Sequence, residues 1–460
     1  MSEWSERTGP SGRERGSRRK PAGLSGRERA SRTGPDGSLG AFVASVPASG
    51  AAIGDRVRRR VPAVLVLGAG VLALAGCAQA DRPQSTMEPK GEYAQKIFNL
   101  SWPVFLIAGV VGLIVFVTLI VAFVRFRERP GHMATPKQVH GNPALEIGLT
   151  VLPAVLLAAI AVPTVKVLFE LNATPKDPLV VNVFGQQWWW EFDYPSIKGG
   201  DNLPLVTANE MVIPAGRQVK LNITSRDVIH SFWIPRLNGK RDAVPGRVQN
   251  WNLQAKEPGE YWGQCTEFCG LSHTNMRMRV IALTPDDYDR WVELQQTNAL
   301  AASTDAAKAG EAQFKSLCAS CHQVNGLKDA NGDQIVAQPQ TQVYNGAAPN
   351  LTHLMSRGTF VSSNFDLLSP ECRAARDKLS ESDPVAFSAA YLEGTTPECL
   401  NQPQLEAWLR NPPAIFPMYV DPTKLAATDG KYRGMPNLNL TEAQIDQLVD
   451  YLKTLNPNQS

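Results

Sequence analysis

Apolar positions change their spacing several times along this chain, and each change predicts a different kind of element. Residues 1–55 show almost no apolar periodicity and are rich in Ser, Gly, Arg and Pro. Such a stretch buries too little surface to offset its ordering entropy, so it reads as a disordered extension. Next, Arg58-Arg59-Arg60 precede an apolar run from Val61 to Leu74, which ends in Leu74-Ala75-Gly76-Cys77. A basic flank, a short apolar core and small residues describe an export signal over 56–76, too short for an ordinary bilayer span. Within 77–170 lie two longer runs, Pro103–Val124 and Ile147–Val165, of 22 and 19 residues without a charge. At about 1.5 Å per residue each can cross a hydrocarbon core as a helix. Arg125, Arg127, Arg129 and Lys137 lie between them. The positive-inside rule puts that loop in the cytoplasm and both ends of the hairpin outside.

Beyond Lys166 the pattern shortens. Val180–Phe184, Glu210–Ile213 and Val219–Ile223 are brief apolar or alternating runs between Pro and Gly turns. They predict a β-sandwich or barrel over 171–298. An Ala-rich linker is expected over 299–308, followed by a helical domain over 309–460. There Ile445, Leu448, Val449 and Leu452 share one face of a helix, and Thr441 with Gln444 forms a capping box. A Pro-containing insert, about 355–430, has no pattern that assigns it an element. Charge alters one point. Residues 1–60 hold 13 Lys/Arg against 6 Asp/Glu, whereas Cys77 onward holds 33 against 37. The basic arm reads as a solvated extension, so no nucleic-acid partner is expected. The mildly acidic remainder suits a basic partner such as a soluble cytochrome c.

The densest chemistry lies in Cys265-Thr-Glu267-Phe-Cys269-Gly-Leu-Ser-His273-Thr-Asn-Met276, with His230 upstream. Two thiols, two imidazoles and a thioether make a soft donor set suited to copper in electron transfer. A mononuclear blue-copper site needs one Cys; the second lets two sulfurs bridge two ions. Zinc and a Cys265–Cys269 disulfide are the rivals, although zinc knuckles favour C-x2-C and have no use for Met276. The segment from Ser225 to Met276 resembles the dinuclear copper (CuA) domain of cytochrome c oxidase subunit II. The hairpin before it is similar too, so the resemblance covers about residues 95–295. It implies a cupredoxin-like fold with copper on His230, Cys265, Cys269, His273, Met276 and the Glu267 carbonyl. It also implies a magnesium ion on the Glu267 side chain at the subunit I interface. Trp188, in Gln187-Trp188-Trp189-Trp190, resembles the patch that accepts electrons from an external cytochrome c. Asp242 and Arg247, in Asp-Ala-Val-Pro-Gly-Arg, resemble the turn packed on subunit I. Glu146 matches an acidic residue near the entrance of a proton channel; as a helix N-terminal Glu it also favours the dipole. Leu-Ala-Gly-Cys77 is similar to a bacterial lipobox, which implies a lipidated Cys77.

Cys318-Ala-Ser-Cys321-His322 is a C-x-x-C-H sequence, the covalent attachment pattern for haem c. Cys318 and Cys321 are expected to form thioethers and His322 to ligate the iron. Met435, in Gly-Met-Pro before the last helix, resembles the cytochrome c pattern for the second axial ligand. Met418, in Phe-Pro-Met, is its rival. His353, in the loop that follows, reads as structural. Cys372 and Cys399 depart from the usual pattern, and an oxidising compartment makes a mutual disulfide the natural expectation.

Together these features predict a multidomain membrane protein: a two-helix transmembrane hairpin, a cupredoxin-like β domain and an all-α c-type cytochrome domain. The resemblance is to oxidases of the caa type. It implies a bacterial cell membrane location, with both metal domains on the extracytoplasmic face. The expected partners are oxidase subunit I, the other oxidase subunits, membrane lipid, and a cytochrome c or upstream cytochrome complex. The expected relay runs from donor to haem c, to two coppers, to haem in subunit I, where oxygen is reduced with proton pumping. A CuA-type nitric oxide reductase subunit and a tethered electron carrier are the alternatives.

Overall fold

A computed structural model describes residues 70, 82–127, 131, 138–335, 348–419 and 434–458. The 1–55 extension, Cys77, Arg129 and Lys137 lie outside the described residues, as does nearly all of the export signal. Ala78–Ser460 forms one compact unit. The two apolar runs fold into helices α1 (Glu92–Arg125) and α2 (Pro143–Asn172), long and apolar enough to cross a membrane. Each helix extends past its uncharged run, because a charge limits membrane depth but does not end a hydrogen-bond ladder. The extra turns dock on the next domain. Lys90 and Gly91 N–H donate to the Arg236 carbonyl at 2.8 and 3.1 Å. Asn252 Nδ2 donates to the carbonyls of Leu171 and Ala173, at 2.9 and 2.8 Å.

Ten strands follow: β1 Leu179–Gln186, β2 Trp189–Lys198, β3 Pro204–Ala208, β4 Glu210–Pro214, β5 Val219–Ser225, β6 His230–Trp233, β7 Arg241–Ala243, β8 Gln249–Leu253, β9 Gly259–Cys265 and β10 Arg277–Leu283. They form two five-stranded sheets, in the orders β3-β2-β1-β5-β8 and β4-β10-β9-β6-β7. Alternate residues of β1 and β5, including Val181, Val183, Leu221 and Ile223, are fully buried, as a strand with one covered face requires. Helix α3 (Pro285–Gln295), capped by Thr284, returns Tyr288 and Trp291 to this core.

The last region comprises α4 (Asp305–Leu317), α5 (Pro370–Ser382), α6 (Pro384–Leu392), α7 (Gln402–Arg410) and α8 (Glu442–Lys453). A short hairpin, β11 (Thr359–Phe360) with β12 (Phe365–Asp366), sits inside this otherwise helical domain. Helix α4 starts within the stretch expected to be linker, because the Thr304 side chain caps it by accepting from Ala307 N–H. The capping box at Thr441 and Gln444 is formed. Helices α4 and α8 cross closely at Gly310, where a Cβ would lie 1.9 Å from the Gln447 carbonyl.

Residues 355–419 of the insert, unreadable as local pattern, pack in part against the β-sandwich. Their Phe387, Tyr391, Leu392 and Phe416 join the sandwich core. Glu210 of β4 accepts from Thr359 N–H at 2.7 Å, Thr359 Oγ1 at 2.5 Å and Tyr391 OH at 2.8 Å. Glu260 of β9 lies 2.7 Å from Arg373 NH2 and 2.9 Å from Arg279 Nε. A disulfide joins Cys372 to Cys399, with Cα atoms 5.7 Å apart.

His353 lies buried at the same junction, 3.2 Å from Gln295 Oε1 and 3.3 Å from Thr297 Oγ1. Burial, aided by Arg357, pushes its pKa from 6.5 down to about 4. The unfolded chain therefore protonates first as pH falls. The stability tied to this ring is complete above about pH 6.5 and is lost towards pH 4, up to about 3 kcal/mol. The denaturant midpoint is expected to drop less in His353→Gln than in wild type between about pH 7.5 and pH 4.5.

Candidate metal centres

Two strands and one loop bring the soft donors together. His230 opens β6, Cys265 closes β9, and the loop back to β10 carries Glu267, Cys269, His273 and Met276. Strand β6 pairs with β9 next to Cys265, which fixes His230 beside the first thiol. The two sulfurs lie 3.8 Å apart, so they form no disulfide. Cys265 Sγ is 4.0 Å from His230 Nδ1 and 3.2 Å from the Glu267 carbonyl. Cys269 Sγ is 3.6 Å from His273 Nδ1 and 3.8 Å from Met276 Sδ. His230, Cys265, Cys269 and Met276 are buried; His273 is half-buried. The residues thus fit a soft cation as a donor set.

Surrounding groups orient these donors. Asp227 Oδ1 lies 2.8 Å from His230 Nε2, leaving Nδ1 turned towards the sulfurs. Burial pulls the His230 pKa down, but Asp227 and Cys265 outweigh it and raise it. The hydrogen bond between the two sulfurs lowers the pKa of Cys265 and raises that of Cys269, because a charge on one opposes a charge on the other. Gly270 sits at φ +115°, and a Cβ there would meet Gln187 Nε2 at 3.0 Å and Trp188 Cζ2 at 3.1 Å.

Trp188 is in the site but not on the surface. Its Nε1 donates to the Cys269 carbonyl at 3.1 Å, and Gln187 Nε2 donates to the same oxygen at 2.6 Å. Trp188, which the resemblance implies as the electron-entry residue, is 3% exposed, and the Tyr419 ring packs on it. Asp227, Ser272, Ser362 and Tyr419 had no signal in the motif itself. Only Asp227, three residues before His230, could have been found by spacing.

In the cytochrome domain, α4 runs into Cys318, and the following turn carries Cys321 and His322. His322 Nδ1 is 2.8 Å from the Pro349 carbonyl. That contact leaves Nε2 as the free imidazole nitrogen, and burial lowers the ring's pKa and keeps it neutral. Two cysteines not joined to each other, half-buried beside such an imidazole, fit a covalently held haem. Met435 packs against the cytochrome core, whereas Met418 packs against the copper domain's core. Met418 Sδ also accepts Met435 N–H at 3.4 Å.

The profile "Cytochrome C oxidase subunit II, transmembrane domain" matches residues 86–167, and the periplasmic-domain profile of the same family matches 196–283. The cytochrome c profile matches 307–371. Cytochrome c oxidase subunit 2 of Bacillus sp. (strain PS3) is 34% identical over 406 residues, 85% of this chain and 96% of that protein. The chain belongs to the cytochrome c oxidase subunit II family. Its counterpart from Alkalihalophilus pseudofirmus is 36% identical over 286 residues, 61% of this chain and 82% of that protein. Quinol oxidase subunit 2 of Bacillus cereus is 34% identical over 234 residues, 49% of this chain and 77% of that protein. As a subunit II with a cytochrome c domain, the chain is one component of a terminal oxidoreductase. Its two domain types imply copper and haem.

The side chains of four other expected site residues are exposed. Glu146 stands in the first turn of α2, capped by Asn142, and is exposed. Asp242 on β7 and Arg247 in the turn after it are exposed, as is the Glu267 side chain. Replacing the carboxylate that orients His230 tests the centre directly. Asp227→Asn in this subunit is expected to weaken copper retention against a chelator about 10- to 100-fold, with an unchanged circular dichroism spectrum.

Proposed function

We propose that this subunit II relays electrons from a cytochrome donor through its own covalent haem c to a dinuclear copper centre, and on to haem in subunit I. The observation that carries this reading is the number of donors around the two sulfurs. His230, His273, Met276 and the Glu267 carbonyl join Cys265 and Cys269 within a few ångströms. One tetrahedral zinc takes four ligands and would leave two of these six idle. Two ions sharing both thiolates use them all, which supports a copper pair over zinc.

Copper, which Cys265, Cys269, His230, His273, Met276 and the Glu267 carbonyl would hold, would supply a one-electron centre. Haem c, which Cys318, Cys321, His322 and Met435 would hold, would supply the second one-electron centre. The chain's own residues do the rest. Cys265 and Cys269 would hold the ions, Asp227 orients His230, and the burial of His230, Cys265, Cys269 and Met276 keeps water from most of the donors. Pro349 holds the His322 ring in one orientation.

Exposed apolar side chains lie on the loops around this centre: Val228, Ile229, Val248, Phe268 and Leu271. Phe268 is 78% exposed, a costly arrangement unless a partner covers it. These loops, with Asp242 and Arg247, support docking on subunit I and a magnesium ion shared through Glu267. The metal domains lie on the extracytoplasmic side in this reading, with Cys77 lipidated and Glu146 near a proton-channel entrance. Oxygen reduction and proton pumping belong to the partner subunit.

Metal analysis of the full-length, haem-matured protein after copper loading and desalting is expected to give about two coppers per iron. Cys265→Ser should abolish copper binding and oxidase turnover while leaving the haem spectrum intact; retained turnover would sink the assignment. Met435→Leu should remove the methionine-to-iron absorption band, which Met418→Leu should leave in place.

A further inference from the structure

Trp188 lies where the family resemblance puts an acceptor of electrons from a soluble cytochrome, yet it is buried by this chain's own cytochrome domain. The Tyr419 ring centroid is 5.0 Å from that of Trp188, the planes tilted by 52°. Ser362 Oγ, from the insert, donates to the Trp188 carbonyl. The peptide leading into Tyr419 is fixed as well, since Ser272 Oγ in the donor loop donates to the Pro417 carbonyl at 2.5 Å. Asn364 Nδ2 donates to the Asn275 carbonyl of that loop. Two separate stretches of the cytochrome domain, 362–364 and 417–419, thus grip the residues around the soft donors.

These contacts line up. Met418, covalently next to Tyr419, accepts the Met435 N–H at 3.4 Å. At the other end, Trp188 Nε1 reaches the carbonyl of Cys269 at 3.1 Å. A packed series therefore runs Met435, Met418, Tyr419, Trp188, Cys269, with each member bonded to or touching the next.

We infer that Trp188 is an internal relay closed to soluble donors, with Tyr419 as the positioning residue that completes the path, so that an external cytochrome must dock on the cytochrome domain. This rests on the two-centre reading above. One electron crosses, oxidising the iron side by one unit and reducing the copper side by one. No proton moves, no bond forms or breaks, and neither ring is itself oxidised. Close packing replaces a water-filled gap between the domains, and Tyr419 fills the position that a docked partner would otherwise take. Within the insert, Ser362 adds a second clamp on the backbone of Trp188 and keeps its indole in register with the donor loop.

The test uses the full-length protein loaded with haem and copper. Hydroxyl-radical oxidation of Trp188, read by mass spectrometry, is expected to stay at the level of a buried residue in wild type and to rise severalfold in Tyr419→Ala. Stopped-flow reduction by a soluble cytochrome c should reduce the haem band first and the copper band second. Tyr419→Leu keeps the bulk and loses the ring, and is expected to slow the second phase about tenfold, whereas Tyr419→Phe leaves it unchanged. Both variants should retain their haem and copper spectra. An unchanged second phase in Tyr419→Leu, copper reduced ahead of haem, or a freely oxidised Trp188 in wild type would each overturn the inference. A wild-type protein lacking one of the two metal signals would instead sink the two-centre reading. The Trp188 footprint would still decide whether this surface is closed.

Discussion

A carboxylate taken out of water needs a donor for nearly every lone pair; Glu210 meets that need across the domain boundary, and Glu260 does so in part. Both belong to strands of the copper-binding domain, and both are buried. Glu210 is satisfied by Gly358, Thr359 and Tyr391, all of them in the cytochrome domain's insert. Glu260 shares Arg279 of its own sheet with Arg373 of the insert. Burial pushes the Glu260 pKa up, but Arg373 and Arg279 outweigh it and hold the carboxylate ionised. Removing one partner of such a buried pair costs about 3–5 kcal/mol, because the charge left behind stays buried. The two domains form one compact unit across this junction.

That junction has consequences at the metal centres. Phe387, Tyr391, Leu392 and Phe416 extend the copper domain's hydrophobic core into the cytochrome domain. Arg279 stacks over the Trp262 ring, which turns a buried cation into part of the packing. With the insert fixed, Ser362, Asn364 and Pro417 reach the ligand loop, and Tyr419 reaches Trp188. A cytochrome on a free linker would find its copper partner by diffusion. Here the geometry between the centres is set once, on folding, by the same contacts that bury the two glutamates.

The membrane end is tied down by different means. The ends of α1 and α2 nearest the copper domain hydrogen-bond to Arg236, Leu237 and Asn252 on the loops and edge of the sandwich. At Gly91 a Cβ would lie 2.3 Å from the Gln254 carbonyl, so only glycine allows that approach. Glu92 and Tyr93 hydrogen-bond to Gln254 and Gln218 just beyond it. The apolar length of the helices sets how they sit in lipid. These polar contacts at their ends set how the copper domain sits on them.

Much of this molecule was legible in the sequence because its chemistry is local. The uncharged runs, the alternating strands, the capping box at Thr441, the spacing of Cys265, Cys269, His273 and Met276, and Cys-x-x-Cys-His each occupy a few consecutive residues. A turn or a single strand is enough to bring such groups together. The insert was not legible: its helices carry their buried residues towards another domain, and no periodicity names the partner. The same holds for Glu210 and Glu260, which look like ordinary strand carboxylates until residues more than a hundred positions away supply their donors. Trp188 shows the division most plainly. The sequence, by its family resemblance, pointed to Trp188 as part of the site that holds the soft donors. Only the tertiary structure decided whether it faces water, because burial depends on what lies opposite, and what lies opposite is Tyr419.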